Sequence, residues 1–94
     1  MIILDTNVVS ESMKPAPDTG FLAWLQSLAP STVYITSITA AELLTGAALL
    51  PDGKRKAQLQ NIISQRVIPA FEGRILQLDL IVASHIAQVT ASAR

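Results

Sequence analysis

Short apolar runs alternate with longer mixed segments along this chain. Ile2-Ile3-Leu4 is halted by the polar triplet Asp5-Thr6-Asn7, the pattern of a buried strand entering a turn. Val8 to Ser12 has room for a brief helix before the Lys14-Pro15-Ala16-Pro17 loop. Asp18 then offers an N-cap for a helix over Gly20 to Leu28, with Phe21, Trp24, Leu25 and Leu28 on one stripe. Pro30-Ser31 breaks it, and Val33-Tyr34-Ile35-Thr36 is β-branched and aromatic enough to be a second strand.

Ile38 to Leu50 is apolar nearly all round, through residues such as Ile38, Leu43, Leu44 and Leu49, and is expected to be a largely buried helix. Pro51-Asp52-Gly53 makes a turn. Lys54 to Val67 then carries Leu59, Ile62, Ile63 and Val67 at helical spacing, with Pro69 expected to stop the helix. Arg74 to Leu78 has the pattern of a third strand. Asp79 caps a last helix whose inner face is Val82, Ile86, Val89 and Ala93. Strands separated by helices of this length predict an α/β fold with a parallel sheet flanked by helices. No repeat or linker divides the chain, so residues 1–94 are expected to form a single domain.

Composition narrows the function classes. With 94 residues, 50% apolar and a mean hydropathy of +0.43, the chain is too hydrophobic for overall disorder. No uninterrupted apolar stretch reaches the length of a membrane span, and Asp5 interrupts the N-terminal run too early for a signal peptide. The expected setting is the cytosol, with no membrane partner. Absence of cysteine removes disulfides, thiol nucleophiles and thiolate zinc sites. Seven basic residues balance seven acidic ones, which argues against a broad nucleic-acid-coating surface. His85 has no second His at ligand spacing, and Lys54-Arg55-Lys56 is read as a solvated helix face.

Three acidic positions carry the chemical question. Asp5 follows a strand directly, where parallel sheets place their ligand crevice, although a turn or cap role fits the same residue. Glu42 falls in an apolar helix, where a lone charge is expensive unless paired; the Thr39 to Glu42 spacing also suits a capping box. Asp79 is read as an N-cap. A carboxylate at a strand end together with another on a buried helix is what a hard divalent cation requires. Such an ion polarises a phosphodiester and lowers the pKa of an attacking water.

Met1-Ile-Ile-Leu-Asp5-Thr6-Asn7-Val8-Val9-Ser10-Glu11, then Tyr34-Ile-Thr-Ser-Ile-Thr-Ala-Ala-Glu42-Leu43 and Gly46, resembles the opening part of PIN-domain ribonucleases. The likeness is greatest to VapC/FitB-type toxins of type II toxin–antitoxin operons, which include plasmid-stability modules. Ile68 through Asp79 fits the same group, so the resemblance spans essentially the whole chain. It implies a Mg²⁺- or Mn²⁺-dependent endoribonuclease with four acidic residues around the metal. Asp5 and Glu42 match the first two as catalytic and metal-binding residues, with Thr6 and Asn7 shaping the turn that holds Asp5.

The resemblance further implies a later acidic helix, a further strand and another acidic residue, none of which has a counterpart within residues 1–94. The chain is therefore expected to be a C-terminally truncated PIN-like domain, binding metal weakly or not at all and cutting RNA poorly if at all. In the family's sheet the first strand is central, so here Ile2-Ile3-Leu4 is expected to present an open edge. The implied partners are an RNA substrate, a cognate antitoxin, and a second copy in a homodimer or higher homo-oligomer. Operator DNA is reached only through the antitoxin. The alternative is a non-catalytic PIN-like binding module that dimerises and captures an antitoxin.

Overall fold

The β-branched run Val33–Thr36 becomes β2, the middle strand of a three-stranded parallel sheet in the computed structural model, which describes residues 1–92. β1 (Ile2–Ile3) lies on one side, pairing Ile2 with Val33 and Ile3 with Tyr34. β3 (Ile75–Leu76) lies on the other, pairing Ile35 with Ile75 and Thr36 with Leu76. The expected α/β class with parallel strands is observed, and β1 pairs only with β2 among the described residues. β3 is shorter than the expected Arg74–Leu78 strand. Beyond Leu76 the backbone leaves the ladder, and Leu78 N–H donates instead to Ser37 Oγ at 3.1 Å.

Side-chain caps set most helix starts. α1 (Thr6–Ser12) is capped by Asp5, and α2 (Thr19–Ser27) by Asp18, whose Oδ2 accepts from Phe21 N–H at 2.9 Å. A 3₁₀ turn over Pro30–Thr32 leads into β2. α3 (Ser37–Ala48) begins at the end of β2 because Thr36 Oγ1 accepts from Thr39 N–H at 3.1 Å. Thr36 is therefore the cap, and the expected Thr39–Glu42 capping box lies inside the helix. The helix already has its first-turn acceptor one turn earlier.

α4 (Lys54–Ile62) does not run unbroken to Val67: it widens into a π-helical turn over Ile63–Val67 and resumes as the short α5 (Ile68–Ala70). Pro69 sits inside α5 rather than ending the helix before it. Proline lacks an N–H and crowds the carbonyl four residues back; the wider turn just before it accommodates both defects. α6 (Leu80–Ser92) starts where Asp79 Oδ1 accepts from Val82 N–H at 2.8 Å. Val82 and Ile86 are half-buried on its inner side. The side chains of Val89 and Ala93 lie outside the described residues.

The core gathers Leu4, Val9, Val33, Ile35, Ile63 and Val67 with a stripe of α3. α3 corrects an expectation: only Thr39, Leu43 and Ala47 are buried, whereas Ile38 is 48% and Leu49 80% exposed. Its buried positions recur every four residues, so the helix meets β2, α1 and α4 along one stripe and leaves its other side open. Arg74 ties the ends of several elements together. Its guanidinium donates to the carbonyls of Pro30, Val33 (2.7 Å) and Ala70, and lies 5.5 Å from the Phe71 ring centroid.

Candidate functional site

The parallel ladder ends with Leu4 N–H donating to Tyr34 O at 2.9 Å, and Asp5 is the next residue. Its backbone is extended while its Oδ1 accepts from Val8 N–H at 2.8 Å, so the carboxylate is fixed at the N-terminus of α1. Helix formation starts at once. Thr6 and Asn7, expected as turn residues, are the first two residues of α1 instead, because the Asp5 side chain closes the first turn.

Thr6 reaches across to α3. Its Oγ1 donates to Glu42 Oε1 at 3.2 Å, linking positions 36 residues apart. Asp5, Thr6 and Glu42 consequently line one cleft of about 860 Å³, together with Thr36 and Thr39. The cleft lies outside the carboxyl ends of β1 and β2, the crevice that parallel α/β sheets use for ligands. Its remaining walls are largely apolar, from residues such as Ile38, Leu78 and Ile86. Glu42 is exposed, not buried as its apolar helix suggested, so its charge stays hydrated and carries no burial cost.

The remaining polar features are peripheral. His85 is exposed. Lys54 and Arg55 are exposed and Lys56 bonds Asp52 at 3.2 Å, as a solvated helix face would. The ammonium of Lys14, 2.6 Å from Glu11, holds that carboxyl below the usual range chiefly by hydrogen bonding. Among the described residues no three His, Asp, Glu or Cys side chains converge into a metal-sized group. Asp5 and Glu42 nevertheless suit Mg²⁺ or Mn²⁺ as a partial set: both are hard oxygen donors on one cleft, and such ions use one or two protein carboxylates beside water and phosphate.

Two site features were not read from the sequence. The Thr36 cap was open to detection, since a Thr at the end of a strand run is a standard helix-start signal. The Thr6–Glu42 bond was not, because it joins positions 36 residues apart on two helices that only the tertiary fold packs together.

A parallel α/β sheet with one carboxylate at the end of its first strand and a second on the helix after its next strand defines an α/β domain with an acidic pair on one cleft. The chain belongs to the PIN-domain family, whose model matches residues 2–94. It is 47% identical over 94 residues to Toxin FitB of Neisseria gonorrhoeae, covering 100% of this chain and 68% of that protein. It is 44% identical to VapC ribonuclease Y4jK of Sinorhizobium fredii, spanning 67% of it, and 38% identical to Plasmid stability protein StbB of Pseudomonas syringae pv. tomato, spanning 68%. The fold superposes on the crystal structure of FitAcB from Neisseria gonorrhoeae with a TM-score of 0.82 at 47% identity, over 97% of this chain and 66% of that one. A structure of FitAB bound to IR36 DNA fragment also gives a TM-score of 0.82, over 95% of this chain and 62% of that one. The chain thus spans about two thirds of the length of these relatives. Among the described residues no helix is long and apolar enough to cross a membrane.

Proposed function

We propose that this chain carries part of the acidic centre of a metal-dependent endoribonuclease toxin from a toxin–antitoxin module. The observation that carries this reading is the placement of Asp5 and Glu42 on one cleft, joined through Thr6, in a chain 44% identical to a protein named as a ribonuclease. Asp5 would hold Mg²⁺ or Mn²⁺ directly, with Glu42 as a second ligand or as the base that orients water. When bound, that ion supplies charge stabilisation to a phosphodiester and a more acidic water. The residues' own part is positional. The Val8 N–H bond to Asp5 Oδ1 fixes one carboxylate at the sheet edge, and Thr6 restrains the other. FitAB is a complex bound to a DNA fragment; by that likeness this chain would pair with an antitoxin and would meet DNA through that partner.

The test is titration of the purified chain with Mn²⁺, beside chelator-controlled cleavage of single-stranded RNA. Asp5→Asn is the informative variant, because asparagine caps a helix as well as aspartate does while removing the charge. Weak Mn²⁺ binding that Asp5→Asn and Glu42→Gln each reduce, with unchanged melting, is the expected result. Cleavage that EDTA and Asp5→Asn both abolish supports the enzyme. A second reading, a non-catalytic module that binds an antitoxin, is favoured by the presence of only two convergent carboxylates among the described residues. Antitoxin capture with intact metal binding and no cleavage would select it; no Mn²⁺ binding at all would overturn the metal centre.

A further inference from the structure

We propose that Thr6 is a positioning residue that holds the Glu42 carboxylate in the cleft beside Asp5; this rests on reading Asp5 and Glu42 as a metal-binding pair. Glu42 is exposed, and an exposed glutamate samples several rotamers unless something fixes it. The Thr6 hydroxyl, donating to Oε1 at 3.2 Å, supplies that restraint. A hydroxyl bond to an ionised carboxylate is directional and stronger than a neutral pair. Thr6 is itself well anchored. It is half-buried, β-branched and therefore stiff at χ1, and it opens the helix that Asp5 caps.

The geometry couples the two carboxylates through adjacent residues. Asp5 is fixed by the first turn of α1, and the next residue in that turn fixes Glu42 on α3. α1 packs on α3, so the Thr6 bond spans two elements that are already in contact. An exposed hydrogen bond adds little to folding stability, so the effect of Thr6 belongs to the site rather than to the fold.

The experiment compares Thr6→Val, Thr6→Ala and Thr6→Ser in the metal-free chain and during Mn²⁺ titration. NMR three-bond couplings about Glu42 χ1 are expected to report one rotamer in the parent and in Thr6→Ser, and averaging in both hydroxyl deletions. Mn²⁺ affinity is expected to fall roughly tenfold in Thr6→Val and Thr6→Ala and to return in Thr6→Ser, the scale at which an outer partner of a metal ligand acts. The urea midpoint separates this from unfolding, and Thr6→Ala covers the case in which valine misfits the helix start. Unchanged Glu42 couplings in both deletions would overturn the proposal, as would equal Mn²⁺ affinity in all four proteins. Lost rotamer order with no Mn²⁺ binding even in the parent supports the positioning role and overturns only the metal reading.

Discussion

At the residue scale, Arg74 shows how one side chain can substitute for regular structure. The segment between α5 and β3 turns sharply, with Gly73 at φ +77°, a backbone state that β-carbon-bearing residues rarely adopt. Arg74 follows at once, beside backbone carbonyls of neighbouring elements. The planar guanidinium of Arg74 spans those of Pro30, Val33 and Ala70, which belong to three different elements. An ammonium presents its donors from a single atom without the planar fork, so lysine matches carbonyls spread over three elements less well. Arg74→Lys and Arg74→Ala are each expected to lower stability, by about 1–3 kcal/mol for the alanine variant, as carbonyls lose charged donors. Urea unfolding measures it, and an Arg74→Lys midpoint equal to the parent's would show that the fork is immaterial.

At the element scale, capping decides where helices begin, and it acts most visibly on α6. Leu80 and Ile81 in its first turn are 83% and 70% exposed, so burial holds that turn weakly and the Asp79 cap carries more of the task. Asp79→Ala is expected to cost about 1 kcal/mol locally. Amide exchange should quicken through the first turns of α6 while Leu43 and Ile35 keep their protection. Local signals of this kind were legible in the sequence: Asp18 and Asp79 cap as expected, and Val33–Thr36 forms the strand. Asp5 also emerged correctly as a strand-end residue. Less legible was everything decided by neighbours. α3 is apolar nearly all round, yet only one stripe meets the sheet, so Ile38 and Leu49 stay exposed and Glu42 is hydrated. The π-helical turn before Pro69 likewise depends on Ile63 and Val67 reaching the core, a tertiary demand that periodicity does not encode.

At the scale of the whole molecule, several large apolar side chains stand exposed to water. A chain of 94 residues has a thin core, and here Leu49, Leu80 and Ile81 are each at least 70% exposed. β1 presents an unpaired edge among the described residues, beside the largely apolar walls of the 860 Å³ cleft. Burying one such Leu or Ile is worth about 1.5–3 kcal/mol, a large share of a small domain's stability. The chain on its own is therefore expected to self-associate into a dimer or larger species at low micromolar concentration. Light scattering across a dilution series checks this, and a monodisperse particle of 10.0 kDa with a cooperative melt would contradict it. Leu80→Glu with Ile81→Glu sharpens the test, because acidic residues in the first turn favour the helix dipole while removing apolar surface. If the exposed start of α6 is part of the contact, this double variant shifts the population toward monomer and keeps the helical signal; association unchanged by it would show that the contact lies elsewhere on the apolar surface.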